Sequence, residues 1–412
     1  MQSFSPVGNV FVTLLLARRR TLPRAVSTWL TMIIAFDAKR AFKNNTGLGN
    51  YSRTIIREFA LTHPDDTLLL LTPDTRGRHS GFCADMPNVR IIVPHGIWRI
   101  FKSLWRTIGI GLRLLPEMPD VYHGLSQELP LIFTGRDAHK AGTRTVVSIH
   151  DMMPWRYPKN FHLIDRCIYR RKVKTACRHA DRIIAISLQT KKDIVMFLST
   201  DPSKIEVIYQ SCEPQFRNTI TAERRAEVKK RYGLPEQYVI CVGTIERRKN
   251  QDTLVRAMQS VASNVSLVIV GRKADLYPQV EATIHELALN DRVIILDNAR
   301  FEDFPALYAG AMAAVYISLF EGFGIPILEA MCCGTPVLTS RCSSMPEVGG
   351  EAALYADPTD IADIAEKINR LAHDSILRNS LITKGAEQAK HFLPDNATRK
   401  LDMLYKSVLP NH

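Results

Sequence analysis

The chain of 412 residues is 46 % hydrophobic and 23 % charged, with Gly and Pro near average usage, which excludes a disordered or fibrous protein and exceeds one ordinary core. Its net charge of +13 is unevenly spread: residues 1–212 hold 31 Lys and Arg against 16 Asp and Glu, while the remainder is slightly acidic. No apolar run approaches the roughly 18 to 20 residues of a membrane-spanning helix. The eight cysteines form no C-x-x-C pair, which points to a reduced, cytoplasmic protein.

Residues 1–31 read as an extension ahead of Met32, from an upstream start or a frayed terminus. A basic, partly apolar surface anchor is the alternative. A secretory signal is disfavoured, because Arg18–Arg20 follow the apolar run instead of preceding it. From Met32 onward, short apolar runs alternate with amphipathic stretches. Predicted strands are 33–36, 68–71, 89–93, 146–149, 183–186 and 207–209, with helices at 51–61 and 163–179. A polar join at 210–237, containing Gly233 and Pro235, precedes a second set. Its strands are 238–242, 267–270, 293–296, 314–317 and 337–338; its helices are 250–261, 277–289, 302–309, 327–332 and 361–371.

Continuous apolar strands alternating with helices predict parallel sheets covered on both faces. Two such sets predict an α/β protein of two Rossmann-like domains, spanning 32–212 and 213–395. A final helix in 396–412 is expected to pack back on the first domain. In open α/β sheets, ligands bind beyond the C-terminal strand ends, so facing sheets make a cleft there.

Two segments of the second half stand at such ends. "EGFGIPILEAMCCGTP" (321–336) follows an apolar strand and places Glu321 and Glu329 around a Gly-x-Pro turn. Free N–H groups at the start of the following helix, with Gly322 and Gly324 allowing close approach, form an anion site. Ionised carboxylates beside it suit sugar hydroxyls, since they are acceptors only. "CVGTIERRKN" (241–250) supplies Arg247, Arg248 and Lys249 directly after another strand, as cations for a phosphate. Singly, each motif is commonplace; in order after successive strands they describe one phosphate-and-sugar site.

"VYISLFEGFGIPILEAMCCGTPVLTS", "VGTIERRKN" and "EVGGEAALYADPTD" together resemble the signature of the family 4 glycosyltransferases, and the resemblance extends over nearly all of 32–400. It implies a GT-B fold and retaining transfer of a sugar from a nucleotide-sugar donor. It implies that Glu321 contacts the transferred sugar and Glu329 the ribose. Phe323, Gly324 and Ile325 would offer backbone N–H groups, and Arg248 and Lys249 would hold the diphosphate. Many members carry Arg where this chain has Thr244, so Arg248 takes over that work. "NNTGLGNYSRTIIREFA" (44–60) resembles the family's first glycine loop, bringing Gly47 and Gly49 near the donor phosphates. "VVSIHDMMPWRYP" (146–158) matches its strand-His-Asp segment, placing His150 near sugar and acceptor; Asp151 equally well orients local backbone. Ser187 stands at another strand end.

No D-x-D pair is present, so no metal and no cofactor are expected. "GIWRIFKSLWRTIGIGLRLLP" (96–116) mixes Trp98 and Trp105 with Arg99, Lys102 and Arg106. It is expected either to contact the acceptor or an anionic membrane, or to pack on its own sheet. A second basic stretch, 165–182, reads as a membrane face or a solvated helix. A glycan or lipid-diphosphate-linked acceptor at the inner membrane face would account for the charge. The "ERRKN" loop resembles that of mannosyltransferases of surface polysaccharide assembly, which favours GDP-mannose.

Three rivals remain at this level. "GLGNYS" (47–52) is nearly a dinucleotide fingerprint, but it begins about ten residues after its strand instead of at once. A nucleotide-sugar epimerase or hydrolase of the same fold uses the same donor residues. Nucleic-acid binding has only charge in its favour, with no recognised module, and no nucleic-acid partner is expected.

Overall fold

The computed structural model describes residues 31–410 apart from 45–46, 78, 115–116, 118 and 135–141, so the extension 1–30 lies outside the described residues. Two wholly parallel sheets organise the chain. The first runs β1 (Ile33–Asp37), β2 (Thr67–Leu71), β3 (Val89–Ile92), β4 (Val121–Gly124), β5 (Arg144–Ile149), β6 (Arg182–Ala185) and β7 (Ile205–Val207), in spatial order β3-β2-β1-β4-β5-β6-β7. The second contains β8 (Tyr238–Val242), β9 (Ser266–Val270), β10 (Val293–Leu296), β11 (Ala313–Tyr316), β12 (Val337–Ser340) and β13 (Ala353–Ala356), in order β10-β9-β8-β11-β12-β13.

The strand sequences explain the sheets. Runs such as LLLL in β2 and LVIV in β9 are buried along their length, as strands covered by helices on both faces must be. Strand order reverses between β1 and β4 in one sheet and between β8 and β11 in the other. Loops leaving adjacent strands there diverge to opposite faces and open a crevice. The two crevices position the site.

Two strands escape the sequence reading. In β4, "VYHG", a buried histidine interrupts the apolar pattern; β13, "ALYA", is too short to stand out. The strand expected at 207–209 lies two residues earlier. Helices Leu188–Leu198, Ala222–Tyr232 and Ser375–Ala389 were not foreseen.

The chain leaves the first sheet after β7 and enters the second after the helix Ala222–Tyr232. The last helix, Pro394–Val408, returns to lie on Gly47–Thr62 of the first domain. A buried hydrogen-bonded row fixes this return. Tyr405 Oη lies 2.6 Å from His123 Nδ1, His123 Nε2 lies 2.8 Å from Ser148 Oγ, and Ser148 Oγ lies 2.7 Å from Tyr51 Oη. Burial lowers the His123 pKa to about 3, so its ring is neutral and serves as one donor and one acceptor.

Within segment 96–114 the helix is confined to 102–114, and it packs on its own sheet. A short turn, Gly96–Arg99, precedes this one continuous helix, whose middle, Trp105–Gly109, is π-helical. Trp105 is 2 % exposed and packs beneath β1, β2 and β4 with Ile110, Tyr122 and Phe133, so it cannot touch a membrane. Arg106 is also turned inward. Its guanidinium binds Asp37 Oδ2 at 2.9 Å and the Glu128 carboxylate, so it is not a surface cation. Lys102 holds Asp74 at 2.9 Å. Trp98 is half-buried, and of the five named residues Arg99 alone is exposed. The exposed apolar groups are instead Ile97, Ile100, Phe101, Leu104 and Ile108.

Candidate active site

The loop after β8 and the loop after β11 meet at the switch point of the second sheet. Arg247–Lys249 form one tight turn, ended by Asn250 with φ 62°, whose amide Nδ2 donates to Ile317 O at 3.2 Å and Pro358 O at 2.7 Å. The Leu319 amide donates to Arg248 O at 2.8 Å. These bonds lock the two loops in register. Arg247 projects outward and is exposed. Arg248 and Lys249 turn inward onto Glu321.

Lys249 Nζ lies 2.8 Å from Glu321 Oε1 and donates to the Tyr316 hydroxyl. Arg248 pairs with the other Glu321 oxygen and with Glu246, and donates to Phe320 O at 3.0 Å. A Cβ at Gly243 would lie 3.3 Å from Lys249 Cε, so the strand-end glycine leaves the passage for that side chain. Burial alone would raise the Glu321 carboxyl, but the Arg248 and Lys249 charges outweigh it and hold it at about 2. Burial lowers the Lys249 pKa, Glu321 opposes that, and Arg248 adds to it. The two cations are therefore paired, not held free as the sequence alone suggests.

Glu321 is set by its backbone as well. Ser343 Oγ donates to Glu321 O at 2.6 Å, and Ser344 Oγ donates to Glu321 O at 3.0 Å and Phe323 O at 2.7 Å. Gly324, at φ 109°, caps the helix Ile325–Cys332, a backbone turn that favours glycine. Ile325 opens the first turn, where N–H groups lack intrahelical partners. Phe323 is buried against the rings of Tyr209 and Phe392.

Glu329 is the fifth residue of the helix, which opens at Ile325. Tyr308 Oη donates to its Oε2 at 3.1 Å. Burial raises its pKa to about 7, with Glu213 adding to the rise and Tyr308 opposing it. The two glutamates of one motif thus sit in opposite electrostatic states, one fixed as an anion and one titrating near neutrality.

The first domain faces this cluster through His150, Asp151 and Thr190. His150 follows β5, is buried, and donates from Nε2 to Leu125 O at 2.9 Å, with its ring edge-on to Tyr51 at 4.6 Å. Burial lowers its pKa to about 4, so it is neutral at pH 7. The Asp151 carboxylate accepts from the Met153 amide at 3.0 Å. Gly322 lies directly against His150: a Cβ there would come within 2.1 Å of His150 O. Thr190 Oγ1 lies 3.3 Å from both His150 O and Gly322 O. Ser187 caps the helix Leu188–Leu198, its Oγ accepting from the Thr190 amide at 2.9 Å.

The glycine loop differs from expectation. Gly47 and Gly49 lie in the helix Gly47–Thr62, and the short helix Lys39–Lys43 separates them from β1, which removes the dinucleotide reading. Gly47 meets nothing within 4 Å, while a Cβ at Gly49 would lie 1.9 Å from Asn44 O. Packing of its own chain accounts for Gly49. At the other switch point, Asp37 at the end of β1 and Glu128 after β4 share Arg106, and Lys172 binds Glu128 at 2.6 Å. Asp37, Glu128, Thr190 and Tyr316 went unnoticed in the sequence. Strand-end position is the one signal that could have found Asp37.

Residues 46–216 match the glycosyltransferase family 4 profile, and residues 224–388 match that of the glycosyl transferases group 1. O-antigen chain mannosyltransferase B of Escherichia coli is 31 % identical over 385 residues, 88 % of this chain and 96 % of that protein. O-antigen chain mannosyltransferase RfbU of Salmonella typhimurium is 29 % identical over 52 % of this chain and 57 % of its own length. Anabaena HepE, solved with UDP and glucose, superposes with a TM-score of 0.71 at 18 % identity, over 92 % of this chain and 100 % of that one. Sucrose-phosphate synthase from Thermosynechococcus elongatus gives 0.71 at 20 %, over 92 % and 99 %. At such identities these two likenesses speak to fold alone. Paired parallel sheets, the strand-end loops and these matches together make the chain a glycosyltransferase of family 4, built on the GT-B fold.

Proposed function

We propose that the chain transfers a hexose, with mannose from GDP-mannose the first candidate, to a saccharide acceptor of a surface polysaccharide, with retention of configuration. The observation that carries this reading is the convergence of Arg248 and Lys249 after β8 with Glu321 after β11, beside the helix opening at Ile325. The relatives named for O-antigen mannose transfer support the choice of sugar and acceptor class.

Breaking the sugar–phosphate bond builds positive charge on the ring and negative charge on the departing diphosphate. Arg248, Lys249 and the N–H groups of Phe323, Gly324 and Ile325 stabilise that negative charge, in the role a metal fills elsewhere. Glu321, ionised at any working pH, accepts from the sugar hydroxyls. Glu329 accepts from the ribose, and His150, neutral, lines the sugar and acceptor side. Gly47, with nothing within 4 Å of where its Cβ would be, keeps the start of the helix Gly47–Thr62 slim on the phosphate side, while Gly49 serves the packing of its own chain. The acceptor hydroxyl attacks the face that the diphosphate leaves, and its proton passes to the leaving phosphate. Pressing Gly322 on His150 excludes water from the reacting centre and limits donor hydrolysis.

The test is a donor screen: incubate with several nucleotide sugars and identify the nucleotide released, with and without chelator. GDP-mannose turnover that survives chelation is expected, and Lys249→Ala removes most of it. Turnover of another donor, or silence under chelation, overturns the assignment it touches.

A lipid-diphosphate-linked acceptor at an anionic membrane face is supported by the exposed Ile97, Ile100, Phe101, Leu104 and Ile108, flanked by exposed Arg99. Among the described residues no helix is long and apolar enough to cross a membrane. Flotation with anionic liposomes tests the association; binding that is absent, or indifferent to salt, removes it.

A further inference from the structure

The segment that holds Glu321 in place also grips the opposite domain. Ser343 and Ser344 bind the backbone of Glu321 and Phe323. Three residues on, the Glu347 carboxylate reaches across the cleft. Its Oε2 accepts from the Leu188 amide and its Oε1 from the Gln189 amide, both at 2.7 Å. These are orphan donors at the start of the helix Leu188–Leu198, a terminus whose dipole favours an anion. The next residue of that helix, Thr190, bridges His150 O and Gly322 O. Glu347, Gly322 and Thr190 therefore form one continuous seat between the domains, with the Glu321 backbone on one side and the His150 backbone on the other.

We propose that Glu347 is a positioning residue. By seating on the start of helix Leu188–Leu198, it sets the closed arrangement of the two domains that brings Glu321 opposite His150. Glu347 touches neither substrate nor the reacting atoms in this arrangement; it acts through Ser344, Gly322 and Thr190. Both amides it binds belong to the facing domain, so its contribution exists only when the cleft is shut. The contact is bidentate, which fixes direction as well as distance. Opening the cleft frees the carboxylate to solvent and returns two amides to water, so the seat is reversible.

The experiment compares the full chain with Glu347→Ala and Glu347→Gln. Small-angle scattering without any ligand reads the closure directly, and amide exchange of the peptide 187–199 reads the seat. Both variants are expected to raise the radius of gyration and to speed exchange at Leu188 and Gln189. Losing a charge-assisted hydrogen bond shifts the open-to-closed ratio by about tenfold. With GDP-mannose and an acceptor, kcat/KM falls by a similar factor, and the ratio of donor hydrolysis to transfer rises. A merely structural role would lower the unfolding temperature and leave scattering and the hydrolysis ratio unmoved; that result overturns the proposal, as does wild-type behaviour of both variants. Scattering and exchange need no donor, so an error in the proposed sugar cannot mask the outcome.

Discussion

Replacing Glu321 by Gln tests the electrostatics of the cluster apart from catalysis. A carboxyl brought from 4.5 to about 2 by Arg248 and Lys249, against the pull of burial, stabilises the fold by roughly 3 kcal/mol at neutral pH. Its folded pKa lies below the unfolded one. The contribution is therefore complete above about pH 4.5 and is lost as the pH falls through about 2. The variant also leaves two inward-facing cations short of a counter-ion, and breaking a buried pair costs about 3–5 kcal/mol. Urea unfolding followed by far-UV circular dichroism should show the variant about 3 kcal/mol less stable at pH 7, and only about 1 kcal/mol less at pH 3. No tryptophan lies in the second domain: Trp98, Trp105 and Trp155 belong to the first and Trp29 precedes it, so fluorescence reports the amino-terminal half separately. The loss should appear in the dichroism transition before the fluorescence one. Equal stability at pH 7, or a gap that does not narrow in acid, refutes the claim that the two cations outweigh burial at this carboxylate.

Gly322→Ala must push the domains about 1 Å apart to clear His150 O, and displacement on that scale costs about 100-fold in turnover; steady-state transfer rates at an unchanged unfolding midpoint are the check. Glu329 has a folded pKa raised from 4.5 to about 7, so ionising it costs stability as the pH rises through that interval. Glu329→Gln should accordingly be about 2–3 kcal/mol more stable than the parent at pH 8 and little changed at pH 4, by the same unfolding measurement. The donor KM of the parent should fall as the pH rises past 7, where Glu329 becomes a full acceptor, and the variant should lose that dependence. Tyr405→Phe leaves a nitrogen of buried His123 without its partner and should lower first-domain stability by about 1–3 kcal/mol, read by tryptophan fluorescence.

The parts of this molecule that were legible in the sequence are those where local pattern and global role coincide. Buried parallel strands are apolar throughout, so β2, β8 and β9 announce themselves. The cations after β8 and the glutamate after β11 stand at strand ends, where α/β crevices lie, so the sequence pattern already singles out Arg248, Lys249 and Glu321 as one cluster. What could not be read depends on partners distant in the chain. β4 is hidden because His123 looks like a loop residue until Ser148 and Tyr405 satisfy both ring nitrogens. Trp105 and Arg106 look like a membrane-facing pair until the helix 102–114 docks and puts one into the core and the other onto Asp37 and Glu128. Glu347 sits inside a quoted motif, but its partners are backbone amides of another domain, which no side-chain spacing reveals.

The return of the last helix bears on how the chain is made. His123 emerges from the ribosome some 280 residues ahead of Tyr405, its partner across the buried row. The amino-terminal half therefore waits, with one imidazole nitrogen lacking its native partner, until Pro394–Val408 has been made and has docked. A nascent chain stalled anywhere short of that helix holds an unfinished first domain, however complete its seven strands.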